Sequence, residues 1–451
     1  MNRFFSRFSQ WKWLRPGMGV KRWLLLLAGG LILLALAAVR LPRTAGLWRF
    51  LDRLPALPLH PAAAIVLLSA AGLALVSLAV YGLNRTLLSA YRRGDQGDVV
   101  EVIYRHRRRQ RGPKVVAIGG GHGLNTLLRG LKEHTDHITA IVTVADDGGS
   151  SGRLRRDLGM LPPGDFRDCI AALSDAEKLT TDLFQYRFAN DTALDGHSFG
   201  NLYLTAMTAI TGSFESALEE SSRVLAVRGQ VMPSTLMPVM LAAEVLAAGS
   251  GEPAAEARAE QLHGQSRIAH TEGRIQRVYL QPEDAPAFPK AIHALLQADL
   301  IVIGPGSLYT SVLPNLLVHD LCEAIRSAPA LKVYVCNVAT QVGETAGYDV
   351  TDHVDALTGH VGHDVFSVVL ANGNLPEDVS PGGGAEWVRP PSDSWHQARM
   401  REQARFPQQA RALARTPASY KLILADLVDR QSPWRHDPHK LADALMALID
   451  D

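Results

Sequence analysis

The sequence predicts an α/β fold. It should be a Rossmann-like, mostly parallel sheet with helices on both faces, carrying a small antiparallel insertion and preceded by an N-terminal two-helix transmembrane hairpin. Three observations predict it. From Lys114 onwards, short runs rich in Val and Ile and closed by Gly, Asp or Asn alternate with helical stretches. Between Met232 and Pro289 that rhythm gives way to polar/apolar alternation, as in "GQSRIAHTEGRIQRVYLQP". Before residue 114 stand two long apolar runs, Leu24 to Val39 and Ala62 to Leu83.

The apolar runs come first along the chain. A helix needs about 20 apolar residues to cross a bilayer core. The second run has that length, and the first reaches it with Trp23 and Leu41. Spans over 23–41 and 62–83 are therefore expected. A signal peptide is disfavoured because no small-residue cleavage pattern follows the first run and a second run comes soon after. Basic residues precede the first run, and Arg85 to Lys114 adds nine more. Lys and Arg stay on the cytoplasmic side, so both ends of the hairpin should face the cytosol. The expected organisation is a hairpin over 1–90, a basic juxtamembrane linker over 91–113 and a nucleotide-binding domain over 114–451. The expected location is the inner (cytoplasmic) membrane, multi-pass, with the main domain in the cytoplasm.

Charge separates these parts. Residues 1–114 carry 19 Lys and Arg against 4 Asp and Glu, which leaves 27 against 41 for the remainder. An acidic domain of that kind argues against nucleic acid as a partner. The cluster "YRHRRRQRG" lies just after an expected span, where it suits lipid headgroups or a topology signal. Three scattered cysteines, Cys169, Cys322 and Cys336, fit buried thiols in a reducing compartment and form neither a disulfide framework nor a metal cluster.

In the main domain, "KVVAIGG", "HITAIVTVADD", "DLIVIGPG", "KVYVCNVAT" and "FSVVLANG" read as buried strands. Helices are expected over Leu124–His134, Asp165–Glu177, Ser198–Ile210, Phe214–Val227, Ser307–Arg326 and Val350–His360. "SYKLILADLVD" and "HKLADALMALID" supply a last strand and helix. "GSGEPAAEARAEQ" reads as an exposed loop or short helix.

Ligands of such sheets bind beyond the carboxyl ends of the strands, and four strand ends here carry small polar residues. The first is strand, glycine turn, helix: Gly119, Gly120, Gly121, His122 and Gly123. Glycines let the backbone approach a phosphate, whose charge is favoured by the free N–H groups of a helix start. No Lys-Ser or Lys-Thr follows, so it is not a Walker A loop. The second end packs Asp146, Asp147, Ser150, Ser151, Arg153 and Arg155 into what reads as one loop. Its carboxylates suit a ribose hydroxyl or a Mg²⁺, and its serines and arginines suit phosphate oxygens. Gly304, Gly306 and Ser307 form a second glycine turn, and Asn337 and Thr340 close the next strand. His197, Ser198 and Asn201 stand at a helix entrance, where Ser198 also reads as an N-cap. Asp146 and Asp147 are the candidate metal ligands and, for a transferase, the candidate catalytic pair. No cofactor other than Mg²⁺ is indicated.

"GGGHGLNTLLRGLK", "ITAIVTVADDGGSSGRLR", "GMLPPGDFRDCI", "GHSFGNL", "GPGSLYTSVLPNLL", "NVATQVGETAGY" and "RHDPHKLA" resemble the gluconeogenesis factor family. That family is the bacterial branch of the CofD-like superfamily, whose archaeal and actinobacterial relatives are 2-phospho-L-lactate transferases of deazaflavin-coenzyme biosynthesis. The resemblance runs from about Lys114 to the C-terminus. It implies a Rossmann-like protein that binds UDP-sugars, notably UDP-N-acetylglucosamine, and that affects cell shape, peptidoglycan precursor supply and growth on gluconeogenic carbon. It also implies cell-wall synthesis proteins as partners and leaves a homodimer open. Two positions depart from the family pattern: His122 replaces a Thr, and Asp168 replaces an Asn.

Three functions compete on these residues. The first is a UDP-sugar-binding regulatory protein, motivated by phosphate-friendly loops with no nucleophile and base pair. The second is a Mg-dependent transferase acting on a nucleoside diphosphate substrate, in which the carboxylates and Mg²⁺ neutralise the leaving group. The third is a nicotinamide oxidoreductase, for which Asp146 would be the acid after the glycine turn; the spacing of that turn argues against it.

Overall fold

A computed structural model describes residues 20–39, 61–91, 106–189, 194–246, 259–376, 378–391 and 420–450. The expected flanking charges of the hairpin, most of the basic linker and most of "GSGEPAAEARAEQ" lie outside the described residues. The chain divides into two units, Met1–Gln110 and Arg111–Asp451.

In the first unit, helices Val20–Val39 and Pro61–Tyr91 pack against each other. Glycine makes the contact close: a Cβ on Gly30 would stand 2.9 Å from the Gly72 carbonyl oxygen. Leu25, Leu31, Val66, Leu67 and Leu73 point outward. Only the second helix is long and apolar enough to cross a membrane, over Ile65–Asn84 among the described residues. This corrects the expectation of two spans. The apolar part of the first helix is Arg22–Ala38, which at about 1.5 Å per residue falls short of a hydrocarbon core about 30 Å thick. The helix is described no further than Val39.

In the second unit, strands β1 (Val115–Gly119), β2 (Ile138–Val142), β3 (Gln230–Pro233), β7 (Leu300–Ile303), β8 (Leu331–Val335), β9 (Val368–Asn372) and β10 (Lys421–Ala425) form one sheet. Its order is β10-β9-β8-β7-β1-β2-β3, and every pairing is parallel. The chain builds outward from β1 through β2 to β3, then returns to the other side of β1 and builds the opposite way. Right-handed crossovers then put helix Gly121–Leu131 on one face and helices His319–Ser327 and Val350–Val361 on the other. The order reverses between β1 and β7, so the crevice of the fold opens at their carboxyl ends. Leu124, Leu127, Leu128 and Leu131, at helical spacing, seal one helix onto Ile118 and Ile141.

The antiparallel insertion is a separate sheet, β5 (Ala259–His263), β4 (Met240–Leu246) and β6 (Arg274–Gln281), in the order β5-β4-β6. It is narrower than the expected Met232–Pro289, because Gln230–Pro233 joins the main sheet and Pro289–Leu296 is a helix.

Two further expectations need correction. Asp146 to Arg155 is not one loop: Gly149–Leu158 is a helix, ended by left-handed Gly159 at φ 65°. The span Ser307–Arg326 is not one helix either, but a π-turn over Leu308–Val312, a short turn at Leu313–Leu316 and a helix over His319–Ser327. Pro314 cannot donate a backbone hydrogen bond to continue a regular helix.

Candidate functional site

Strand β1 ends in Gly119, and the chain turns through Gly120 into helix Gly121–Leu131. Gly121 has φ 58°, a left-handed conformation that a side chain would strain. The N-cap, Gly120, has no side chain to cap this helix start, and the Asp165 carboxylate takes the Gly121 N–H. The N–H groups that follow and the positive dipole end suit an anion.

Because β7 pairs with β1 up to Ile118 opposite Ile303, the Gly304–Ser307 turn arrives beside the glycine turn. The contact is backbone to backbone. A Cβ on Gly123 would stand 2.4 Å from the Pro305 carbonyl oxygen and 2.8 Å from the Gly306 Cα. The Asn315 amide donates to the carbonyl oxygen of Gly119 at 3.0 Å and to that of Ser311 at 2.8 Å, tying the strand end to the π-turn. Asn337 clamps Gly306 from both sides, accepting from its N–H at 3.1 Å and donating to its carbonyl oxygen at 2.9 Å.

Between these turns lies an inner cleft of about 260 Å³, lined by Gly120 to Gly123, Asp146, Asp165, Ser307, Thr310 and Ser311 among others. It shares His122, Gly123 and Ser307 with an outer compartment of about 720 Å³. That outer wall includes Asn337, Thr340, Gln341, Gly382, Trp434 and Arg435. The shared boundary is the start of helix Gly121–Leu131 and the Ser307 hydroxyl.

Two carboxylates face the inner cleft. Burial raises the pKa of Asp146, against a hydrogen bond from the Gly148 N–H at 2.9 Å and one from the Ser151 hydroxyl. Asp165 is pushed up to about 7 by burial and by the negative charges of Asp146 and Asp168, although the Gly121 N–H donates to it. Gly120 leaves room for it, since a Cβ there would press on Asp165 Oδ2 at 2.5 Å. Two carboxyls crowded in this way favour a proton or a cation between them. Asp147 turns elsewhere and accepts the Ser266 N–H at 2.8 Å, which ties the strand end to the insertion. Among the described residues no group of three or more His, Cys, Asp or Glu side chains could hold a metal ion. Asp146 with Asp165 offers two hard oxygen ligands, and a Mg²⁺ commonly completes its shell with phosphates and water.

Other residues chosen from sequence form a buried layer and do not line either compartment. Ser150 Oγ contacts His197 Nδ1 at 3.0 Å, and the Asn201 amide donates to Ser150 Oγ at 3.1 Å and to Ser151 Oγ at 3.4 Å. Burial, and then the Arg153 guanidinium, lower the His197 pKa. Ser198 caps helix Phe199–Thr211 and accepts from Arg167 at 2.7 Å. Arg167 in turn pairs with Asp168 at 3.0 Å. Arg153 donates to the Asp195 carbonyl oxygen at 2.7 Å. The serines left the cleft because the helix from Gly149 puts Ser150, Ser151 and Leu154 on its buried side. Gly119 and Gly304 shape strand ends. His122 is exposed at the boundary of the compartments, and Thr340 bonds to Glu386.

Sequence reasoning passed over Asp165, Thr143, Thr310 and Ser311, and in the outer compartment Trp434, Arg435 and His436. Asp165 sits in "PPGDFRD" at a helix start, and Arg435 and His436 begin "RHDPHKLA", just after Trp434; both segments were visible, but their direction was not. Glu344 is also new. It accepts from the Tyr309 N–H at 3.1 Å, the Thr310 hydroxyl at 2.6 Å and the Gln341 amide at 3.2 Å, while Gln341 accepts from Ser307 at 2.7 Å. Burial raises its pKa and these donors lower it.

Residues 115–385 match the family model described as 2-phospho-L-lactate transferase CofD. A relative from Nostoc sp. that carries the gluconeogenesis factor name is 44% identical over 99% of this chain and 94% of its own. The Bacillus subtilis protein named gluconeogenesis factor is 45% identical, covering 75% of this chain and 99% of its own. A crystal structure of a UPF0052-family protein from Bacillus halodurans is 41% identical, with a TM-score of 0.64, covering 74% of this chain and 99% of that one.

Proposed function

We propose that this chain, which belongs to the gluconeogenesis factor family and carries its CofD domain, binds a UDP-sugar and acts by being occupied rather than by turning it over. One observation carries the reading: the helix start at Gly121 abuts the Gly304–Ser307 turn where the two compartments meet. A diphosphate placed there projects one end into each compartment, as a nucleoside diphosphate sugar requires. The Ser150 and His197 contact is buried behind the cleft and offers no nucleophile to it. Calorimetric titration of the full-length protein with UDP-N-acetylglucosamine tests the reading. Micromolar binding is expected, and no binding up to millimolar ligand overturns it. Occupancy would then report nucleotide-sugar supply to peptidoglycan synthesis and to growth on gluconeogenic carbon.

A second reading is favoured by the Asp146 and Asp165 pair. In a transferase acting on a nucleoside diphosphate substrate, these carboxylates would hold a Mg²⁺, which supplies charge neutralisation at the diphosphate. The chain's own part would be to hold the phosphates on the N–H groups of the glycine turn and the Ser307 hydroxyl. Release of nucleoside monophosphate on incubation with acceptor and Mg²⁺, abolished in Asp165→Asn, supports this reading; no release excludes it.

We also propose a membrane location, with helix Ile65–Asn84 in the bilayer and the second unit on the cytoplasmic side. Its support is the length and apolar outward face of that helix. Retention in the pellet after carbonate washing is expected, and release would contradict it.

A further inference from the structure

A cavity of about 960 Å³ in the second unit lies away from the crevice. Strand β6 forms one wall and helix Val350–Val361 another. Strand β6 carries an irregularity that aims its side chains. Arg277 pairs with Glu244 and Val278 with Ala243, but Ile275 pairs with Val245 and Arg274 with Leu246, so Gln276 is an extra residue. Without it, Arg274 and Arg277, three apart, would face opposite sides of the sheet. The bulge turns them to the same side as Tyr279, while Ile275, Val278 and Leu280 are buried on the opposite side of the strand. All three outward residues line the cavity.

Neither arginine is in an ion pair among the described residues, even though Glu244 stands across from Arg277. Arg277 stacks over the Tyr279 ring at 5.9 Å. Behind them the Tyr309 and Tyr348 hydroxyls meet at 2.9 Å. His360 is neutral: its Nε2 accepts the Val278 N–H at 3.0 Å, so its Nδ1 carries the proton given to the Ala356 carbonyl oxygen at 2.6 Å. Asp352, Asp355 and Glu283 lie on the remaining rim. Two free guanidiniums suit a phosphate, which they can grip bidentately. Aromatic faces suit the C–H face of a sugar ring, and carboxylates accept its hydroxyls.

We propose that this cavity is a second ligand site, for a sugar phosphate, and that its occupancy is felt in the nucleotide crevice through Tyr309. The coupling rests on the function proposed above; the binding does not. Tyr309 belongs to the π-turn that gives Ser307, Thr310 and Ser311 to the inner cleft. Its N–H and the Thr310 hydroxyl share the Glu344 carboxylate. A ligand that moves the Tyr309 ring therefore moves the turn that holds the diphosphate.

Calorimetric titration of the full-length protein with glucose 6-phosphate, with glucose and inorganic phosphate as comparisons, tests the site directly. Glucose 6-phosphate should bind more tightly than either, and Arg274→Ala/Arg277→Ala should weaken it by roughly tenfold or more without changing the melting temperature. A second measurement tests coupling. Saturating glucose 6-phosphate should shift UDP-N-acetylglucosamine affinity by roughly fivefold, the reciprocal shift should be equal, and Tyr309→Phe should shrink both. Failure of glucose 6-phosphate to bind at millimolar concentration overturns the site. Binding unchanged by the arginine substitutions, or no tighter than that of inorganic phosphate, overturns it equally. Absence of UDP-N-acetylglucosamine binding alone would sink the crevice reading and leave the direct titration standing.

Discussion

Gly121 and Gly123 are both glycines of one turn, yet they are required for different reasons. Gly121 has a left-handed φ, and an added Cβ would meet only Ser311 Oγ at an ordinary 3.8 Å, so Gly121→Ala should cost about 1–2 kcal/mol of backbone strain. Gly123 has no such φ, but its missing Cβ is the space that the Pro305 carbonyl occupies. Gly123→Ala should drive the two turns apart and cost about 1–3 kcal/mol, with ligand affinity falling further than stability. Urea unfolding paired with calorimetry separates the two substitutions. His436 gives a pH signature. Burial lowers its pKa to about 4, and its Nε2 bonds the Cys336 carbonyl oxygen at 3.2 Å. The unfolded chain takes up a proton near pH 6.5 and the folded one only near 4, so stability should fall as pH drops through that window. The loss should be on the order of 3 kcal/mol at most, and His436→Gln should flatten that acid limb in unfolding measured between pH 4 and 7.

The π-turn at Leu308–Val312 is the element that the inner cleft and the second cavity share. Its conformation is held from outside, by the Glu344 carboxylate and the Asn315 amide. Glu344→Gln puts a donor where Thr310 and Gln341 already donate. It should weaken UDP-N-acetylglucosamine binding by roughly tenfold at a stability cost of about 1–3 kcal/mol, read by calorimetry and thermal melting. Ser150→Ala, by contrast, removes a contact from the buried layer behind the cleft. It should cost about 1 kcal/mol of stability with little change in affinity. Regular elements were legible here because their signals are local. The Val and Ile runs closed by Gly, Asp or Asn became β1, β2, β7, β8 and β9, and Leu124 to Leu131 became a helix face. Helix Gly149–Leu158 was not legible, since its first turn is Gly and Ser, which have weak helix preference, and its stability comes from burying Leu154 and both serines.

At the scale of the whole molecule, the second unit has its own sheet and core. A fragment beginning at Arg111 should fold, bind UDP-N-acetylglucosamine as the full chain does, and stay in the supernatant after ultracentrifugation. The full chain should sediment with membranes through Ile65–Asn84. The sequence by itself determined the sheet class, the glycine turn, the Gly-Pro-Gly-Ser turn and the family, because strand periodicity and turn chemistry are written within a few neighbouring residues. It did not determine which polar residues meet. Asp165 joins Asp146, while Asp147, Ser150, His197 and Asn201 turn away. A bulge at Gln276 brings Arg274 and Arg277 to one face. Those choices belong to the tertiary structure, because they follow from the reversal of strand order between β1 and β7, from which side of a helix is buried, and from strand register, none of which is fixed by neighbouring residues alone.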